Sequence, residues 1–142
     1  MDMRLEAVVL PVTDADRAKT FYEQLGWRQD ADIKAGEGYR VIQFTPPGSA
    51  CSIIFGTGVT EALPGSVQDV VLAVVSIEQA RQELLQRGVA VGEIFHGGIY
   101  GNRGRLPGPD PDRKSYASLA AFNDPDGNGW LLQEITDRLP GR

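Results

Sequence analysis

Apolar and polar positions alternate near the start of the chain. Val8, Leu10 and Val12 fall on one face and Ala7, Val9 and Pro11 on the other, which predicts a strand over 5–12. The period then changes to that of a helix. Ala18, Phe21, Tyr22 and Leu25 follow i, i+3, i+4, i+7 spacing, with Thr13 or Asp14 available as the cap and Gly26 as the stop. Strands are predicted at 27–33, 38–45 and 50–56. The opening pattern then recurs: a strand at 69–75, Ser76 with Gln79 three residues on as a capping box, a helix to Arg87, and Gly88 closing it. Strands near 89–95, 116–123 and 129–136 complete the pattern.

This recurrence is an internal repeat. Sliding the chain by 62 positions (70 − 8) lays Val8, Val9, Leu10 and Val12 on Val70, Val71, Leu72 and Val74, Ala18 on Ala80, Gln24 on Gln86, and Gly26 on Gly88. A supersecondary unit that cannot close its own core pairs with its copy. The expected organisation is one domain over 1–142, made of a β-α-β-β-β module at 5–56, a connector at 57–67 with Gly58, Pro64 and Gly65, and a second module at 68–136. The second copy carries a long insertion, Gly97 to Lys114, where Pro107, Pro109 and Pro111 alternate with Gly108, Asp110 and Asp112. A loop this long is either a functional lid or a mobile segment.

Composition narrows the classes. The 142 residues, 42% of them hydrophobic, suffice for a core. A formal charge of −5 disfavours nucleic acid as a partner. Met1-Asp2-Met3-Arg4 lacks the features of a leader, and no apolar run is long enough to span a bilayer, so a cytoplasmic, soluble protein that does not engage membranes is expected. Cys51 stands alone, which precludes an intrachain disulfide or a cysteine zinc site, and its apolar setting suits a buried, inert thiol.

The run Pro11-Val12-Thr13-Asp14-Ala15-Asp16-Arg17-Ala18, followed by Phe21-Tyr22 and Leu25-Gly26-Trp27, resembles the glyoxalase / bleomycin resistance / extradiol dioxygenase (vicinal oxygen chelate) superfamily, as does Asp124-Pro125-Asp126-Gly127-Asn128-Gly129-Trp130. The resemblance covers nearly the whole chain. It implies an α+β fold in which two β-α-β-β-β modules form a curled eight-stranded cup, commonly completed in a homodimer. In the family's enzymes, His and Glu from the first and last strand of each module hold a divalent metal inside the cup. Those positions here are Ala7, Ser52, Asp69 and Leu131. Ala7 and Leu131 have no donor atom and Ser52 offers only a neutral hydroxyl, so the resemblance predicts no metal and no cofactor.

Strand parity then places Val9, Ile54, Val71, Leu131 and Gln133 on the inner face and Val8, Leu10, Ile53, Phe55, Leu72, Trp130 and Leu132 under the helices. An aliphatic inner face with a few polar groups suits a small-molecule pocket. On that face the Asp69 carboxylate would sit among apolar neighbours and attract a cation or a ligand hydroxyl or amine; otherwise it lies at a solvated strand end. His96, the only histidine, either bonds a ligand at the cup's mouth or merely ends a strand. Arg113 and Tyr116 either reach over the cup or are solvated beside the insertion. Glu134 shares the parity of Trp130 and Leu132, so it is not expected to face a metal unless a bulge intervenes.

No nucleophile elbow, phosphate loop or Cys/His pair is present, and Gly97-Gly98 with Gly101 make no dinucleotide fingerprint. The leading expectation is a homodimeric protein that sequesters an amphipathic, antibiotic-like small molecule without metal. A lyase, isomerase or dioxygenase with a rearranged site drawn from Asp69, His96 and Glu134 stays open. So does a filled pocket with action through the dimer surface.

Overall fold

A computed structural model of the chain describes residues 1–98 and 103–142. The chain forms two compact units. The first comprises Met1–Gln68 together with Asp124–Asn128, and the second Asp69–Asn123 together with Gly129–Arg142.

In the first unit, β1 (Ala7–Val9), α1 (Ala15–Gln24), β2 (Arg28–Lys34), β3 (Arg40–Thr45) and β4 (Ser52–Thr57) build a four-stranded sheet, sheet A, ordered β1-β4-β3-β2. β1 is short because Pro11 offers no N–H, although Leu10 N still donates to Ile54 O at 2.8 Å. Asp14, not Thr13, caps α1 by accepting from Arg17 N. The helix packs on β3 and β4. Asp32, directly opposite Ile42 in the β2–β3 register, accepts from Lys19 of α1 at 2.8 Å, which identifies the sheet face that meets the helix. Leu10, Ile42, Phe44, Ile53 and Phe55 are buried with Ala18, Tyr22 and Leu25. Tyr22 is the centre of this core, its ring 5.4 Å from Phe55 and 5.3 Å from Trp27.

Charge protects the sheet's outer strand: Arg28, Asp30 and Lys34 are exposed on β2, and Asp32 is partly buried. Arg40 links Asp32 to Asp16 on α1 through three hydrogen bonds of 2.8 Å. The two Arg40 bonds to Asp32 and the one from Lys19 hold the Asp32 carboxyl well below the usual carboxylate range.

In the second unit, β5 (Val70–Val74), α2 (Ile77–Gln86), β6 (Phe95–His96), β7 (Leu106–Pro107), β8 (Leu119–Asn123) and β9 (Gly129–Glu134) form sheet B, ordered β5-β9-β8-β6-β7. Ser76 caps α2 and accepts from Gln79 N. The repeat is reproduced residue for residue in the helices, which begin at Ala15 and Ile77 and end at Gln24 and Gln86. Gly26 and Gly88 follow them with φ of 82° and 83°, a left-handed conformation that only glycine takes without strain. The expected helix-side residues Trp130 and Leu132 are buried beside Ala120 and Phe122, while Leu72 is partly buried.

Three expectations need correction. Instead of a strand over 89–95, Val91 forms an isolated bridge with Phe122 and only Phe95–His96 is strand, because Gly92 N and O are taken by Ala121 O and the Arg81 side chain. The strand expected from 116 begins at Leu119, since Tyr116 has a φ of 73° and Ala117 N turns back onto Lys114 O. The insertion contributes an additional strand, β7, so nine strands rather than eight are present among the described residues. Gly101 lies outside the described residues. No helix among the described residues is long and apolar enough to cross a membrane.

Buried carboxylates set the expected acid response. Glu134, 3% exposed, accepts from Arg113 Nη2 at 2.7 Å and from Ile77 N at 2.9 Å. Arg113 chiefly, and Ile77 secondarily, hold its carboxyl below the ordinary value of 4.5, against the opposing effect of burial. A depressed native pKa means that the unfolded state binds protons first, so the stabilisation is complete above about pH 4.5 and is lost as pH falls through the native value. Urea-unfolding midpoints should therefore hold from pH 7 to 5 and drop below pH 4.5, and Glu134→Gln should lower the midpoint at pH 7 and make the acid decline shallower.

Candidate functional site

The face of sheet A turned away from α1 is the candidate site in the first unit. The registers Val9↔Ile54, Ile54↔Gln43 and Gln43↔Ala31 align one row of side chains across all four strands. A second row joins Gly56, Val41 and Ile33. No helix covers this face within the unit. Val9 is 40% and Ile33 59% exposed, while Ile54, Val41, Gln43 and Ala31 are partly buried. Ala7 and Ser52 pair directly at one end.

There the Thr45 hydroxyl donates to Asp30 and lies 2.7 Å from Ser52 Oγ. With the Thr45 proton committed to Asp30, Ser52 is the donor to Thr45. Asp30, held below its ordinary value first by Thr45 and then by Arg28, ends this hydroxyl chain. The arrangement places an apolar strip beside a short ordered polar string, a surface on which an amphipathic ring system can lie with its polar edge fixed. Gln43, Val41, Ala31, Ile33 and Thr45 were not among the residues singled out from the sequence. The alternation along 27–33 and 38–45 was the signal that could have found them.

In the second unit the corresponding face is closed. Leu131 is 2% exposed and clusters with Phe95 and Leu119, with Val71 and Ala121 packed alongside and partly buried. Gln133 is buried and donates Nε2 to Tyr116 O at 2.9 Å. Asp69 does not sit among aliphatic neighbours: it precedes β5, is exposed, and has a φ of 61°, which takes it out of strand alternation. His96 Nδ1 lies 2.8 Å from Gly108 O. A carbonyl only accepts, so Nδ1 carries the proton, and His96 ties the β6–β7 hairpin to the turn after it.

Arg113 and Tyr116 are likewise engaged within the unit. Arg113 pairs with Glu134 and with Glu78 on α2, and Tyr116 donates its N–H to Glu134 O while its hydroxyl accepts from Leu139 N. Glu134, as its parity implied, turns to the helix side and caps the start of α2. Burial, reinforced by the charge of Glu6, pushes the Cys51 thiol up, which suits an unreactive side chain.

The positions that carry metal ligands in the family's enzymes do not fit a metal here. The registers also shift one of them: Val9 pairs with Ile54 as its repeat mate Val71 pairs with Leu131, so Ile54 rather than Ser52 is the counterpart of Leu131. Neither has a donor atom, Ser52 already donates to Thr45, and no three His, Cys, Asp or Glu side chains converge among the described residues. Asp69, His96 and Glu134 are not brought together as a rearranged site, because the last two are committed to Gly108 and to Arg113 and Ile77.

Sheet order, registers and the shared helix lengths define a two-module α+β protein, each module running β-α-β-β-β with an added hairpin strand in the second. The family model of the Glyoxalase/Bleomycin resistance protein/Dioxygenase superfamily matches residues 4–132, and the chain belongs to that superfamily. It is similar to TnmS3, an antibiotic binding protein from Streptomyces sp. CB03234, at 27% identity over 94% of this chain and 97% of that one, with a TM-score of 0.71. A glyoxalase/bleomycin resistance protein from the same strain is 28% identical over 92% and 100% of the two chains, with a TM-score of 0.67. A superfamily member from Sphaerobacter thermophilus DSM 20745 shares the fold at 24% identity over 94% and 98%, TM-score 0.69. No curated protein matches the chain.

Proposed function

We propose that this protein is a metal-independent binding protein that sequesters an amphipathic, antibiotic-like small molecule in the cytoplasm as a homodimer. The observation that carries the proposal is the uncovered row Val9–Ile54–Gln43–Ala31, aliphatic except for one amide and flanked by the Ser52–Thr45–Asp30 string. Apolar contact with Val9, Ile54, Val41 and Ile33 supplies affinity at about 25 cal/mol per Å² removed from water, and the polar string fixes orientation. The similarity to TnmS3, itself described as an antibiotic binding protein, points the same way. The dimer is supported by the free edge of β1, the outermost strand of sheet A, beside the exposed apolar side chains of Met3 and Leu5.

Calorimetry against a panel of antibiotics and polycyclic amphiphiles, with and without EDTA, tests this. A ligand binding one per chain, indifferent to EDTA and lost in an Ile54→Glu variant that still unfolds cooperatively, is the expected result. Stoichiometric metal in elemental analysis, with turnover abolished by chelator, would replace binding with catalysis.

A further inference from the structure

The turn between β8 and β9 carries a dipeptide whose chemistry the fold holds in check: Asn128 is followed by Gly129. In an open chain, the backbone nitrogen after an asparagine can attack the side-chain amide, and glycine, having no Cβ, obstructs that approach least. The folded chain blocks it at both partners. Asn128 is fully buried and its amide is fixed to groups other than Gly129. Nδ2 donates to Pro11 O and to Asp124 Oδ2, both at 2.9 Å, and Oδ1 accepts from Val67 N at 3.2 Å. Gly129 is itself buried, at the start of β9 in register with Asn123 of β8. The other two asparagines, Asn102 and Asn123, precede Arg103 and Asp124, whose side chains hinder the same attack.

We propose that Asn128-Gly129 is a deamidation site, closed by the native fold and exposed by opening of the 124–128 turn, that makes prolonged unfolding irreversible. In the open chain the Gly129 nitrogen loses its proton to hydroxide and attacks Asn128 Cγ. The N–Cγ bond forms, the Cγ–Nδ2 bond breaks, and the amide nitrogen leaves as ammonia after taking a proton from water. Water then opens the five-membered imide at either carbonyl, leaving an aspartate or an isoaspartate at position 128 without any redox change. Neither product suits the folded turn. A carboxylate has no N–H to give Pro11 O, and it would be buried against the carboxylate of Asp124. Isoaspartate in addition lengthens the backbone of the turn by one methylene. Each chain modified while open is thereby withdrawn from the folding equilibrium.

The test holds the protein at pH 8 in buffer and in guanidinium chloride, with reductant to keep Cys51 a thiol. Peptide mass spectrometry locates the change and separates it from isomerisation at Asp126-Gly127, which leaves the mass unaltered. In guanidinium the mass gain of deamidation should accumulate at 128 ahead of 102 and 123. The native sample should lag it about a thousandfold or more, the scale set by the unfolded fraction. Refolding yield on dilution, followed by tryptophan fluorescence, should fall in step with the modified fraction, and a hold at pH 5, where hydroxide is scarce, should preserve it. Gly129→Ala, measured in guanidinium where folding is not required, should slow the reaction several-fold. Asn128→Asp, which installs one product directly, should show the loss of refolding without any hold. Equal rates in native and unfolded protein, no mass gain at 128 in guanidinium, an earlier change at 102 or 123, or an unchanged rate in Gly129→Ala would overturn the site. Full refolding of chains modified at 128 or of Asn128→Asp, or an equal loss of yield after the pH 5 hold, would overturn its link to irreversibility.

Discussion

Replacing Asp124 with Ala should cost about 3–5 kcal/mol of folding stability, because several hydrogen bonds to one buried charged group, each worth about 1.5–3 kcal/mol, are lost together. Asp124 is 4% exposed. Its Oδ2 accepts from the Tyr22 hydroxyl at 3.0 Å and from Asn128 Nδ2 at 2.9 Å, while Oδ1 accepts from Asp126 N and Asn128 N. Truncation strands the Tyr22 hydroxyl and the N–H groups of Asp126 and Asn128, while Asn128 Nδ2 keeps its bond to Pro11 O, and Tyr22 and Asn128, wholly buried, have no water to turn to. Tyr22→Phe deletes one of the four bonds and leaves no orphaned donor, so it should cost only about 1 kcal/mol. Urea unfolding at pH 7 separates the two; comparable losses in both variants would show that the carboxylate is dispensable to the turn.

A second large effect is expected at Leu131, and its repeat counterpart supplies the control. Leu131→Ala should destabilise by about 2–5 kcal/mol through the cavity left between Phe95 and Leu119. Ile54→Ala, at the same position of the other module but partly exposed, should cost about 1 kcal/mol or less. Leu131→Glu would bury a carboxylate and compromise folding, so it cannot serve as a binding-site variant. Equal losses in the two alanine variants would mean that the sheet A face is covered after all.

The elements were legible where a local rule decides them. Ser76 with Gln79, and Gly26 and Gly88 at the helix stops, mark both helices to within a residue or two, and the 62-position repeat carries the β-α-β-β-β organisation over to the second copy. Parity divided Leu10, Ile53, Phe55, Trp130 and Leu132 correctly toward the buried helix side.

What was not legible depends on contacts distant in sequence. The alternation of 69–75 cannot reveal that Asp69 adopts a left-handed φ, nor does the sequence around Glu134 announce that Arg113, 21 residues earlier, and Ile77 N will claim its carboxylate. Asp124-Pro125-Asp126-Gly127-Asn128 reads locally as turn chemistry, yet its side chains reach Pro11 O, Thr13, Tyr22 and Val67 N. Of the residues assigned to the inner face, Val9 and Ile54 lie on the side of sheet A turned away from α1, Val9 exposed and Ile54 partly buried, whereas Leu131 is packed. The pleat gives both positions the same direction but does not say what fills the space above them.

The turn at 124–128 also governs how the chain could be divided. The first unit is discontinuous in sequence: it closes only when five residues from the far end of the chain return to Pro11, Tyr22 and Val67. A break at the connector would separate a fragment holding Tyr22 from the Asp124 that receives its hydroxyl, and leave Pro11 O and Val67 N without Asn128. Despite its duplicated architecture, the chain cannot be halved into two self-sufficient pieces. A split version would have to be reconstituted by mixing its fragments, with the returning turn as the segment that makes each depend on the other.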